Sequence, residues 1–203
     1  MKPVIFIDFG HVYFKVHPTG IGKFSKKFHL TKEEMLHIFL GPHWTSHASG
    51  KTDEKTYWKC VAHKMNISPD QVKDLSDTWY NTLEPCSSMV KLVANLRKKY
   101  RVAALSSITA PWIEVLEKKY KISKHFHEHH YSFDHGIDKP DAKLFLRAAR
   151  KMKVNPEDCI VVDDMKKFLD AVKKTGARTI MFDNSKHDVK QLETHLRKMG
   201  IEI

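Results

Sequence analysis

A chain of 203 residues that is 41% apolar and 29% charged can build one domain, or one domain carrying a modest insertion. No apolar run approaches the length of a membrane span, and three scattered cysteines (Cys60, Cys86, Cys159) make neither a CxxC pair nor a disulfide framework. The formal net charge is +11, but the basic residues fall in short groups along helix faces, such as Arg97-Lys98-Lys99 and Lys173-Lys174, with no zinc-finger spacing and no aromatic RNA-binding motif. The expected partner is therefore a small anionic molecule, not nucleic acid and not a membrane. A strand begins within about three residues of Met1, leaving no room for a signal peptide; with the cysteine usage, this predicts a cytoplasmic protein.

The first element is Val4-Ile5-Phe6-Ile7, four consecutive apolar residues running into Asp8. No polar residue alternates with them, so both faces want burial, as in a central parallel strand. A carboxylate at the C-terminal end of such a strand lies where open α/β sheets place their ligands. Gly10 then lets the chain turn away. From about His17 to Leu83 no strand is evident and the segment reads as helices. Thr31 to Glu34 is a capping box, and Gly41-Pro42 reads as the end of that helix. A second helix runs from Asp53 to about Met65, and a third starts at Ser68-Pro69-Asp70-Gln71.

Strand and helix alternate after that. A helix through Met89 and Leu96 ends at Tyr100; Val102 to Leu105 is a strand ending in Ser106-Ser107; a helix follows from Trp112 to Tyr120. A helix beginning at Pro140 precedes the strand Ile160 to Val162, which ends in Asp163-Asp164. A helix through Val172, a strand from Thr179 to Phe182 and a last helix from Val189 to Met199 complete the chain. The pattern predicts an α/β fold: a Rossmann-like parallel sheet with helices on both faces, and a helical block inserted above the strand ends as a cap. The expected division is 1–15 with 86–203 as core and 16–85 as cap.

Three buried strands thus end in functional groups at one sheet edge: Asp8, Ser106, and Asp163 with Asp164. Lys139 returns to the same edge. Carboxylates from two strands suit a hard cation such as Mg²⁺, the lysine and metal can neutralise a phosphoryl group, and the hydroxyl can hold one of its oxygens. Asp8 can then attack phosphorus and form an aspartyl phosphate that water cleaves.

These motifs resemble those of the haloacid dehalogenase-like hydrolases, in order and over essentially the whole chain. The first is Phe6 to Val12, the second Val102 to Ser107, the third Gly136-Ile137-Asp138-Lys139-Pro140-Asp141 with Tyr131-Ser132 upstream, and the fourth Ile160 to Asp164. Gly50-Lys51-Thr52 resembles a turn of the family's cap. The resemblance implies Asp8 as nucleophile, Ser106 on a phosphoryl oxygen and Lys139 on both nucleophile and transferred group. It implies Mg²⁺ held by Asp8, the Gly10 carbonyl and Asp164, with Asp163 supporting the metal shell. A small phosphorylated metabolite is the implied substrate.

Two positions depart from the family pattern. Gly10 stands where most family phosphatases carry a second aspartate as general acid, and Ser107 stands where an asparagine is common. The Asp-x-Gly arrangement with a paired Asp-Asp is similar to a branch that includes a sugar-1-phosphate phosphatase, whose anomeric leaving oxygen needs less acid help. Two alternatives stay open: a metal-free haloacid dehalogenase using the same nucleophile, and a catalytically silent protein of the same fold. His11 could substitute as acid, although it reads first as a loop histidine at the cap interface. Ser107, His11 and Trp44 are the candidate substrate-binding residues. Trp44 follows Gly41-Pro42-His43 in an expected loop, while Trp58, Trp79 and Trp112 read as core or cap packing. His125, His127, His129 and His130 lack a metal-ligand spacing and read as structural or surface histidines.

Overall fold

The strands, in chain order, are β1 (Val4–Ile7), β2 (Phe14–Val16), β3 (Leu83–Pro85), β4 (Val102–Ser106), β5 (Glu128–Tyr131), β6 (Cys159–Asp163) and β7 (Arg178–Met181) in the computed structural model, which describes residues 2–16 and 25–203. The helices are α1 (Lys32–Phe39), α2 (Pro42–Ala48), α3 (Glu54–Met65), α4 (Pro69–Tyr80), α5 (Ser87–Leu96), α6 (Ala110–Tyr120), α7 (Ser132–His135), α8 (Lys143–Lys151), α9 (Lys166–Lys173) and α10 (Val189–Lys198).

Five strands form one parallel sheet in the order β5-β4-β1-β6-β7. All four residues of β1 are buried, because helices cover both faces. Val4 and Phe6 pack with Phe145 of α8 and Phe168 of α9 on one side. Ile5 and Ile7 belong to the other core, with Leu92 of α5 and Leu196 of α10. The chain leaves β1 for β4 and β5 on one side, then crosses to β6 and β7 on the other. β1 is therefore the topological switch point, and the crevice above its C-terminal end is where such a sheet takes its ligand.

Helices α1 to α4 lie in sequence between β2 and β3. The expected caps are formed: Thr31 and Glu34 bond reciprocally, Asp53 accepts the Thr56 N–H, and Ser68 and Gln71 close a capping box. No helix among the described residues is long and apolar enough to cross a membrane.

The segment expected to be strand-free holds no strand before Leu83 among the described residues, but it is bounded by two strands that the sequence did not announce, β2 and β3, which pair antiparallel with Phe14 opposite Pro85 and Val16 opposite Leu83; each is only three residues long, too short for a periodic signal. Gly41-Pro42 ends one helix but also begins α2, since proline suits the first turn of a helix, where its missing N–H costs nothing. Trp44 is consequently on a helix and not in a loop. The helix expected at Pro140 begins at Lys143, after a turn in which the Asp141 carboxylate accepts the Lys143 N–H at 2.9 Å. The part of the expected helical block from His17 to Phe24 lies outside the described residues.

Candidate active site

The acids and the Ser106 hydroxyl stand at strand ends or in the loop that follows, and Lys139 lies in the loop between α7 and α8. Asp8 follows β1, Ser106 ends β4, Asp163 ends β6, and Asp164 begins the next loop. Asp8, Ser106, Lys139 and Asp163 are all buried. The Lys139 ammonium lies 2.6 Å from Asp8 Oδ1 and 2.6 Å from Asp163 Oδ2, and 5.1 Å from the centre of the Phe168 ring. Such pairs are charge-assisted and fix the lysine tightly. Asp163 also accepts the Met165 N–H on Oδ1 at 2.7 Å, so the protein itself engages both of its oxygens. Asp164 is tethered, among the described residues, on one oxygen, with Oδ2 accepting from Asn184 at 2.7 Å.

The charges do not balance. Burial pushes the Asp8 carboxyl well above the usual carboxylate range; Lys139 opposes this, and Asp163 and Asp164 add to it. Asp164 is raised too, by burial first and then by Asp163, against Asn184 and His11. Burial works against the Lys139 ammonium, but Asp163 and Asp8 outweigh it and hold its pKa above the ordinary lysine value. Asp8, Asp163 and Asp164 each offer an oxygen within 4.8 Å of the others. Three carboxylates against one ammonium leave a surplus of negative charge among oxygen donors, which fits a hard divalent cation such as Mg²⁺.

Gly10, His11, Ser107 and Trp44 reach the same place: with the residues above, they line a cavity of about 590 Å³ over the strand ends. Ser107 Oγ also accepts the Lys139 backbone N–H at 3.1 Å, which holds the lysine's stem. His11 is exposed and adopts a left-handed backbone (φ 59°), uncommon for a residue with a side chain. A Cβ added at Gly10 would meet only Asp8 Oδ2, at 4.0 Å.

The histidine group does not converge. His125 Nδ1 is 2.6 Å from the Tyr13 hydroxyl, His127 accepts the Val102 N–H at 3.1 Å, and His129 lies 3.3 Å from the Ile122 carbonyl oxygen. His130 is buried, and neither of its ring nitrogens has a hydrogen-bond partner among the described residues, although Nε2 lies 3.9 Å from Glu128 Oε2. Trp58 is buried with its indole N–H donated to the Tyr80 hydroxyl.

Sequence reasoning missed much of the cavity wall. Trp79 and Trp112, read as packing residues, line it, as do Met35, Leu40, Leu83 and Met165. Asn184, the partner of Asp164, was not singled out either. An apolar helix face looks the same in sequence whether core or cavity lies against it.

Comparison with known proteins follows this geometry. Residues 63–166 match the family model of the haloacid dehalogenase-like hydrolases. The chain is 29% identical over 115 residues to the glyceraldehyde 3-phosphate phosphatase of Methanopyrus kandleri, a match covering 55% of this chain and 48% of that protein; it thus spans about half the length of that relative. A HAD family enzyme of Bacteroides thetaiotaomicron, BT-2542, solved in complex with magnesium and inorganic phosphate, superposes with a TM-score of 0.79 at 18% identity, covering 95% of this chain and 99% of that one. A predicted HAD-like hydrolase from Porphyromonas gingivalis gives 0.75 at 19% identity, covering 97% and 98%. These solved structures share the fold. With the family model covering half the chain and the same sheet carrying its four motifs at one edge, the protein belongs to the haloacid dehalogenase-like hydrolases.

Proposed function

We propose that the protein is a Mg²⁺-dependent phosphatase of small phosphomonoesters, acting through an aspartyl phosphate. The observation that carries this reading is the cluster of Asp8, Asp163 and Asp164 around the Lys139 ammonium at the base of the cavity. A phosphatase named for a three-carbon sugar phosphate among the relatives, and a magnesium and phosphate complex among the structural neighbours, support it.

Asp8 is the nucleophile. Its carboxylate attacks phosphorus, the bond from phosphorus to the ester oxygen breaks, and the leaving oxygen takes a proton; water then releases phosphate from Asp8. Lys139 holds Asp8 ionised and oriented and offsets charge on the transferred group. Ser106 donates to a phosphoryl oxygen, and Ser107 fixes the backbone of Lys139. Asp8, the Gly10 carbonyl and Asp164 would hold Mg²⁺, with Asp163 positioning Lys139 beside them. The ion's chemistry is to neutralise phosphoryl charge. The described part of the inserted block, from residue 25 to residue 85, caps the site and bounds the substrate through Met35, Leu40, Trp44 and Trp79. Gly10 supplies no acid, so turnover favours leaving groups that depart without one.

The test is phosphate release from acetyl phosphate by the full chain, with Mg²⁺ and with excess chelator, alongside Asp8→Asn. A small 2-haloacid serves as control. Release that needs Mg²⁺ and Asp8 supports the reading. Halide release in chelator would replace it with the metal-free dehalogenase, and silence in every arm with a non-catalytic protein.

A further inference from the structure

The base of the cavity is built for a phosphoryl group, but its wall is built for something else. Trp44 from α2, Trp79 from α4 and Trp112 from α6 stand side by side there, with ring centres 6.0 Å apart for Trp44 and Trp112 and 5.6 Å for Trp79 and Trp112. Leu40 and Met165, two of the four exposed large apolar side chains among the described residues, line the same space from its two sides. Soluble proteins keep few such side chains exposed, and placing two at one cavity suits a ligand that covers them. Among the described lining residues, all charged or titratable groups belong to the strand-end set or are His11. The hydroxyls in the lining are those of Ser106 and Ser107, at the strand ends with the phosphoryl site, and that of Thr82, which donates to the Trp79 carbonyl at 2.8 Å. A polyhydroxylated sugar would give up its hydrogen bonds to water here without replacing them.

Resting on the phosphatase reading above, we infer that the organic half of the substrate is a flat, largely apolar ring system, joined to phosphate as an aryl or arylalkyl monoester, and not a sugar. Gly10 is compatible with the aryl esters of this class, as it is with an anomeric sugar phosphate, so the cavity wall alone separates the two. A phenolate departs with the electron pair of the broken P–O bond and takes its proton from water, so it needs less acid assistance than a sugar alcohol.

The test separates this inference from the function it rests on. Turnover of acetyl phosphate in Mg²⁺ reports the base of the site alone. Benzyl phosphate and glucose 6-phosphate, both esters of primary alcohols, then compare wall preference at similar leaving-group acidity. Calorimetric binding of benzylphosphonate and methylphosphonate, in Mg²⁺, reads the same preference without turnover. We expect kcat/KM for the benzyl ester to exceed that for the sugar ester by about a hundredfold, and benzylphosphonate to bind about tenfold tighter than methylphosphonate. Trp44→Ala and Trp79→Ala should each shrink that binding ratio. Acetyl phosphate turnover with equal or better use of the sugar ester overturns the aryl inference and leaves the phosphatase. No turnover with a preserved benzyl preference overturns the phosphatase and keeps the ligand class. Equal binding of the two phosphonates overturns the aryl inference whatever the activity.

Discussion

The backbone N–H of Lys139 donates to Ser107 Oγ at 3.1 Å. The residue after the β4 hydroxyl thus holds the chain carrying the site's ammonium. Ser107→Ala should lower kcat about tenfold while leaving Mg²⁺ affinity unchanged, because the lysine's placement and not the acid trio is disturbed. Ser107→Thr, which keeps a hydroxyl, should restore most of the loss. A threonine variant as slow as the alanine variant would assign Ser107 another role.

Asp8→Asn keeps size and removes the nucleophile. Turnover should fall by more than about a thousandfold at equal folded fraction. Residual activity within about tenfold of the parent would move the nucleophile elsewhere.

The two neighbouring aspartates should separate cleanly. Asp163 spends one oxygen on Lys139 and the other on the Met165 N–H, whereas Asp164 is held on one oxygen by Asn184. Asp164→Ala should therefore weaken Mg²⁺ binding more than Asp163→Ala does, and Asn184→Ala should weaken it about tenfold. Asp163→Ala should instead cost about 3 kcal/mol of stability, since it strips a buried ammonium of one of its two carboxylates. Titration of Mg²⁺ and urea unfolding of the three variants read both effects; a reversed order of the aspartates in metal affinity would undo the ligand assignment.

Gly10 has room for a side chain: an added Cβ finds only Asp8 Oδ2, at 4.0 Å. Gly10→Asp should place an acid beside the leaving oxygen and raise turnover of primary-alcohol phosphates by about a hundredfold, with little gain for acyl phosphates. In the parent, rates should climb steeply with leaving-group acidity. A flat dependence would mean that an acid is already in place, and His11, exposed in the same cavity, would be the next residue to replace.

His130 should make stability pH-dependent. Burial first, and the nearby His135 second, push its pKa down to about 4. In the unfolded chain histidine binds its proton near pH 6.5, so between these values the unfolded state holds more protons and stability falls as pH falls. The loss is about 2 kcal/mol at pH 5. His130→Phe should flatten that slope. Urea midpoints at pH 7.5 and pH 5 measure it, and parallel profiles for parent and variant would remove His130 as the cause.

What could be read from the sequence was local. Val4 to Asp8, Val102 to Ser106 and Ile160 to Asp163 are unbroken apolar runs that end in a polar group, and each became a buried strand delivering that group to one edge. Lys139 followed from the motif around it. What escaped was set by partners distant in sequence. Trp79 and Trp112 sit on helix faces as apolar as any that meet the core. Asn184 reaches Asp164 only because β7 ends beside β6. The β2–β3 pairing joins residues nearly seventy positions apart through six residues in all, with no periodicity to announce it. Gly41-Pro42 carries the chemistry of both a helix stop and a helix start, and only the next turn of chain shows that it serves as both.

That short pairing has a consequence for how such proteins diversify. Phe14 to Val16 and Leu83 to Pro85 are bonded to each other, and the Cys86 N–H donates to the Tyr13 carbonyl at 3.0 Å, so the block between them departs from and rejoins the sheet at one clasp. Loop-closure cost grows only slowly with length, and here the clasp already holds the ends together. A segment of different length or composition spliced between Val16 and Leu83 would meet the same anchor points. The part of the pocket contributed by Met35, Leu40, Trp44 and Trp79 behaves as an exchangeable cassette, whereas Asp8, Ser106, Lys139, Asp163 and Asp164 stay on the sheet's side of the splice.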